Sequence, residues 1–193
     1  MIIFGIDPGS DRTGYGCVNT DGSRHTLITC GAIKTKASAT FPEKLLVIHS
    51  RLTTLLSECR PDAVAIENLF HAVNARSALK LGHARGVAML AAVQAGCRVV
   101  EYTPTEVKRA VVGYGRAEKH QVQQMVKLLL GLERAPSPHD AADALAVAIC
   151  HLQAAPLAAV TSRLAAEHQR SRPGVASGRA PARTWRDYRP PTT

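Results

Sequence analysis

A single α/β domain built on a mixed five-stranded sheet is what this sequence predicts, and three observations predict it. Short apolar runs bounded by turn residues alternate with longer stretches of helical spacing. Three strand-like runs precede the first helix, and two more each follow a helix. The chain has 193 residues of which 46% are hydrophobic, enough to bury one substantial core plus an appendage.

Residues 2–6 form a continuous apolar run that stops at Asp7-Pro8-Gly9-Ser10, which reads as a buried central strand entering a tight turn. Strands around residues 14–19 and 26–34, separated by the hairpin signal Asp21-Gly22, complete an antiparallel meander. Between residues 42 and 59, Leu45, Leu46, Ile48, Leu52, Leu55 and Leu56 follow helical spacing, and Pro42 suits a first helical turn. Residues 63–66 form a second buried strand that ends at Glu67. An Ala-rich helix over residues 75–95 is stopped by Gly96, and residues 98–102 form the fifth strand. Strands reached through helices pair in parallel, so the sheet has three antiparallel strands and then two parallel ones. Helices are predicted near residues 105–112, 118–132 and 137–154.

Beyond Pro156 the composition shifts to Arg, Pro, Ala, Ser and Gly without periodicity, as in segments that bury too little to offset their ordering entropy. Residues 1–156 are therefore expected to form the domain, and residues 157–193 a basic, disordered tail that reads as a species-specific extension. Residues 155–193 hold seven Arg against Glu167 and Asp187, and so carry +5 of the formal +9. A basic balance of this kind points to a polyanionic partner, nucleic acid first. The five cysteines, at positions 17, 30, 59, 97 and 150, lie far apart in apolar runs; this excludes a disulfide framework and a zinc site. No segment reaches the roughly 20 apolar residues of a membrane span, and no basic signal segment opens the chain, so a soluble cytoplasmic protein is expected.

Four carboxylates carry the chemistry. Asp7 and Glu67 stand at the carboxyl ends of two buried strands, although Asp before Pro-Gly is also ordinary turn chemistry. Asp140 and Asp143 are spaced i, i+3 and share one helix face, where like charges repel. Asp140 can be excused as a helix-start acid. Asp143 cannot, because the Ala-Leu-Ala-Val-Ala-Ile run that follows is core-like and a carboxylate there needs a cationic partner. If that helix packs beside the two strands, all four acids converge on a site for hard cations, Mg²⁺ or Mn²⁺. Two such ions, roughly 3.5–4 Å apart, can clamp the attacking and leaving oxygens of a phosphodiester during hydrolysis.

Phe4-Gly-Ile-Asp-Pro-Gly-Ser10, Thr13-Gly-Tyr-Gly16, Ala65-Ile-Glu-Asn-Leu-Phe70, Tyr102-Thr-Pro-Thr-Glu-Val-Lys108 and Asp140-Ala-Ala-Asp-Ala-Leu-Ala146 together resemble the RuvC crossover junction endonucleases over residues 1 to about 154. The resemblance implies an RNase H-like fold and a homodimer. It also implies symmetric nicking of two strands of a four-way DNA junction, leaving 5'-phosphate and 3'-hydroxyl ends, in recombination and repair. A RuvA/RuvB-type branch-migration complex is the implied partner. Asp7, Glu67, Asp140 and Asp143 match the family's catalytic and metal-binding acids, with His139 the second choice for the third position. Lys108 and Lys119 match lysines near the DNA backbone, and Phe70 resembles an aromatic that stacks on a base at the junction centre. Arg76, Lys80 and Arg85 would add phosphate contacts from the following helix. That helix also carries Ala78, Gly82, Gly86, Ala88, Ala91 and Ala92, a small-residue face that would serve either a dimer or packing on the sheet.

Three other readings compete. Another RNase H-like nuclease would keep the acids and change the substrate. An actin-like kinase opens on a similar strand, but it needs a second domain and a second Gly-rich phosphate loop that this sequence lacks. A junction-binding protein without catalysis would need only the basic tail and Phe70.

Overall fold

The computed structural model describes residues 1–68 and 74–170, the side chains of residues 155–170 excepted. The elements follow in the predicted order: β1 (Ile2–Asp7), β2 (Arg12–Thr20), β3 (His25–Lys34), α1 (Phe41–Cys59), β4 (Ala63–Glu67), α2 (Ala75–Gln94), β5 (Arg98–Tyr102), α3 (Pro104–Val112), α4 (Lys119–Leu129) and α5 (His139–Arg170). The sheet order is β3-β2-β1-β4-β5, with β1, β2 and β3 antiparallel and β1, β4 and β5 parallel.

Local chemistry sets the boundaries. At the β2–β3 turn the Asp21 carboxylate accepts from the Ser23 and Arg24 amides at 2.9 and 2.8 Å, and these bonds hold its pKa down at about 2. Gly22 takes the left-handed conformation that this turn requires (φ +103°). Helices α1 and α3 both begin with a Thr whose backbone amide is bonded, at 2.7 Å, by the Glu three residues on: Thr40 with Glu43, Thr103 with Glu106.

The strands alternate their side chains between two apolar layers. Phe4, Ile6, Cys17, Ile33, Val64 and Ile66 pack against α1 and α2. Ile3, Val18, Ala63 and Ala65 pack against α3, α4 and α5 through residues such as Val107, Val126, Leu145 and Ile149. The alternation places Asp7 and Glu67, in step with Ile3 and Ala65, on the α5 side.

Three glycines let α5 lie directly on the sheet. Gly5 and Gly16 are partners across β1 and β2, and Gly14 is partnered with Asp7. A Cβ at Gly5 would overlap the Ala144 carbonyl oxygen and reach 2.9 Å from the Ala148 nitrogen. At Gly14 it would overlap the Asp140 carbonyl, and at Gly16 it would come within 2.6 Å of the Leu145 side chain.

Two sequence expectations change. The small-residue face of α2 divides, for Ala88, Ala91 and Ala92 are fully buried in the core, whereas Ala78, Gly82 and Gly86 line an exposed groove with Leu45, Leu79 and Leu90. Helix α5 runs to Arg170 instead of ending near residue 154. Pro156 removes one helical donor, but the Leu157-Ala-Ala-Val stretch and the Leu164-Ala-Ala-Glu stretch after it are rich in strong helix formers. Residues 171–193, the remainder of the expected tail, lie outside the described residues. The chain divides into two units, Met1–Leu157 and Ala158–Thr193. The first contains the whole sheet; of the second, only helical backbone through Arg170 is described.

Replacing Gly5 with Ala forces a methyl into the α5 backbone and is expected to cost about 1–3 kcal/mol, which lowers Tm by roughly 2–12 °C in a chain of this size. Thermal unfolding followed by circular dichroism checks it, and a Tm within a degree of the parent's would refute the close seating of α5. A second expectation concerns His151 of α5, which is 7% exposed and is hydrogen-bonded through Nδ1 with the Tyr102 hydroxyl, 2.8 Å away. Burial, and then Arg98, hold its pKa below the ordinary 6.5. The unfolded chain therefore takes up a proton that the folded chain refuses, so this contribution is intact above about pH 6.5 and is lost as pH falls below it. His151→Gln should flatten the pH dependence of the urea midpoint between pH 7.5 and 5.5; an unchanged profile would remove His151 as its source.

Candidate active site

Asp7 and Glu67 reach the site because β1 and β4 are parallel neighbours with Ile6 opposite Ile66, so both strands end at one edge of the sheet. The turn after Asp7 is held from within. The buried Thr13 hydroxyl donates to the Gly9 carbonyl at 2.7 Å, and Thr35 donates from its amide to the Asp11 carbonyl at 3.1 Å. After Glu67 the ladder continues for one residue, as the Asn68 amide donates to the Tyr102 carbonyl at 2.7 Å. Helix α5 brings Asp143 and Asp140 over this edge, with Asp140 above Gly14 and Ala144 above Gly5.

Asp7, Glu67 and Asp143 line a cleft of about 360 Å³ together with Lys108 of α3, Lys119 of α4 and the apolar wall Pro104, Val107, Val122 and Ala146. The Lys119 ammonium lies 3.4 Å from the Asp143 carboxylate. Asp140 stands outside that lining, toward β2, with its carboxylate 4.0 Å from the Arg12 guanidinium.

The acids repel one another. Burial first, then the negative charges of Glu67 and Asp143, push Asp7 well above the ordinary carboxylate range, and Asp140 adds to the effect. Glu67 is raised by burial and by Asp143, against the opposing pull of its hydrogen bond with Asp7 and of Lys119 and Lys108. Both carboxyls are thus held above the ordinary carboxylate range, and Lys119, whose own pKa is raised by Asp143, supplies a fixed positive charge beside them. Among the described residues, no three His, Cys, Asp or Glu side chains are gathered tightly enough to hold an ion as they stand. The donors are nevertheless all carboxylate oxygens with surplus negative charge, the chemistry that suits a hard divalent cation.

The structure brings Asp7, Glu67, Asp143, Lys108 and Lys119 into one cleft and sets Asp140 at its margin. His139 is exposed at the start of α5 and is not among the groups that shift Asp7. Arg76 is exposed in the first turn of α2; Lys80 is exposed over the Phe41 ring, 5.9 Å from its centroid. Arg85, whose side chain is 25% exposed, is ion-paired with Glu101, which ties α2 to β5. Phe70 lies outside the described residues. The sequence reading missed Arg12. The signal was present in the meander, because a strand returning antiparallel from Asp7 must begin at the same edge.

The family model described as crossover junction endodeoxyribonuclease RuvC matches residues 3–151. A relative of that description from Alkaliphilus metalliredigens is 57% identical over 151 residues, covering 78% of this chain and 92% of its own length. Another, from Trichlorobacter lovleyi, is 50% identical over 190 residues, covering 98% of this chain and 100% of its own. The match with that relative extends past residue 156. The solved structure of Thermus thermophilus RuvC superposes with a TM-score of 0.76 at 38% identity, covering 82% of this chain and 97% of its own. The same protein in complex with a Holliday junction substrate gives 0.78 at 38% identity, over 82% and 96%. The yeast mitochondrial Holliday junction resolvase Ydc2, 14% identical with a TM-score of 0.55, shares the fold. The fold is RNase H-like, and the match of residues 3–151 spans the sheet and every acid of the cleft: the chain belongs to the RuvC family of crossover junction endodeoxyribonucleases.

Proposed function

We propose that this protein resolves four-way DNA junctions, nicking two strands symmetrically by metal-dependent hydrolysis to leave 5'-phosphate and 3'-hydroxyl ends. The observation that carries this reading is the convergence of Asp7, Glu67 and Asp143, with Asp140 beside them, in a cleft walled by Lys108 and Lys119. The two lysines hold phosphate oxygens of the strand to be cut. The wall formed by Val107, Val122 and Ala146 excludes water from one side of the phosphate. Asp7, Glu67, Asp140 and Asp143 are the residues that would hold Mg²⁺ or Mn²⁺, two ions in all, which when bound supply a polarised phosphoryl oxygen and a water of lowered pKa. Phe70, Arg76 and Lys80 extend the DNA-binding surface.

Symmetric nicking calls for a two-fold dimer. The outward groove of α2, with Leu79 65% and Leu90 51% exposed beside Gly82 and Gly86, supports its placement there. Residues 1–156 form the nuclease domain, and residues 157–193 a basic appendage. Family membership implies a RuvA/RuvB-type branch-migration partner and a role in homologous recombination and DNA repair in the bacterial cytoplasm. Among the described residues no helix is long and apolar enough to cross a membrane.

A synthetic four-way junction incubated with Mg²⁺ should be cut in two opposed strands while linear duplex survives, and a chelator should stop the reaction. Asp7→Asn should lower the single-turnover rate by about a thousandfold or more, about 4 kcal/mol of barrier, yet retain junction binding in a gel-shift assay. Cleavage at the parent rate in that variant would sink the four-acid reading. For the dimer, Leu90→Arg places a charge in the groove and should shift the sedimentation coefficient from dimer to monomer. A variant that stays dimeric would move the interface elsewhere.

A further inference from the structure

We infer that Arg12 and Lys34 form a second phosphate-binding bank on the antiparallel side of the cleft, opposite Lys108 and Lys119. The inference rests on the DNA-junction reading above and extends it to residues that reading does not use.

The first observation is register. Arg12 opens β2 and Lys34 closes β3, and the two are direct cross-strand partners. Like charges placed directly opposite one another destabilise a sheet pair, so an anion between them would relieve a built-in repulsion. The second is direction. Arg12 falls in step with Gly14 and Gly16, which face α5, while Lys34 follows Ile33, which packs on the α1 side. Alternation therefore turns both cations to the face that carries Asp7 and Glu67. The third is position. Asp7 is partnered with Gly14, two residues from Arg12, so the pair sits at the same edge of the sheet as the acids, with β1 between it and β4.

The remaining observations concern availability and rigidity. Among the described residues Arg12 has only Asp140 as an acidic partner, at 4.0 Å, and its side chain is 57% exposed. Lys34 is exposed and has no carboxylate partner among the described residues. Nearby cations with a structural task are engaged differently: Lys44 bonds Asp11 at 2.6 Å with only 15% of its side chain exposed. Thr35, next to Lys34, donates from its hydroxyl to the Ser10 carbonyl at 3.1 Å and from its amide to Asp11, which fixes the end of β3 to the turn that follows Asp7. A backbone held in this way fixes where the two side chains start. A strand laid across the acids would then have phosphates held on both sides of the one that is cut.

The test is the salt dependence of four-way-junction binding, measured with chelator present so that nothing is cut. Each phosphate contact removed should lower the slope of log K against log salt by about 1 and weaken binding equally for junctions of different sequence. Arg12→Gln with Lys34→Gln should therefore lower the slope by about 2, as should Lys108→Gln with Lys119→Gln. Arg51→Gln, on the exposed side of α1, removes the same charge away from the cleft and should leave the slope unchanged. Lys34 pairs with no acid among the described residues, so the effect of Lys34→Gln alone does not come through Asp140. If Lys34→Gln keeps the parent slope while the Lys108 and Lys119 pair lowers it, the second bank is overturned and the junction reading survives. If the parent protein does not bind the junction, both fall together.

Discussion

The seating of α5 on glycines of β1 and β2 is the contact on which the site depends. Helix and strand backbones meet at Gly5 and Gly14 with no side chain between them. A helix held off by ordinary side chains would rest about 10 Å from the sheet, the spacing of packed apolar layers. Its acids would then stand beyond reach of the strand-end carboxyls. The close approach brings Asp143 into the cleft of Asp7 and Glu67 and makes their mutual repulsion unavoidable. Tight packing and a cation-seeking cluster are thus two results of the same missing methyl groups.

The second constraint is strand parity. Ile3 and Gly5 turn toward α5 and Phe4 and Ile6 away from it, so Asp7 can face only the α5 side. Ala63, Ala65 and Glu67 repeat the pattern on β4. The apolar residues that fill the two cores therefore also aim the acids, and stability and function draw on one alternation.

Much of this was legible in the sequence, because it follows from periodicity and turn chemistry. The element order, the meander and the parallel pair could be read from apolar runs, from Asp21-Gly22 and from Gly96. The strand-end acids and the i, i+3 pair were legible for the same reason. What could not be read depended on contacts between distant segments. The α2 face looked uniform because small residues suit both a helix core and a helix surface, and only packing separates Ala88 from Gly82. Arg85 looked like a free cation because its partner, Glu101, lies on another element. The helix beyond Pro156 was missed because proline and composition outweighed a weak propensity signal.

Asp140 and Asp143 ride on one rigid helix, and Asp7 and Glu67 on one hydrogen-bonded sheet. The backbones that carry the four acids therefore form two bodies, and only side-chain rotation adjusts the acids within each pair. The seating of α5 at Gly5 and Gly14 thus sets the position of one pair of acids relative to the other. The tolerance of the site is set by two bodies and one interface, much as the jaws of a vice are set by its screw.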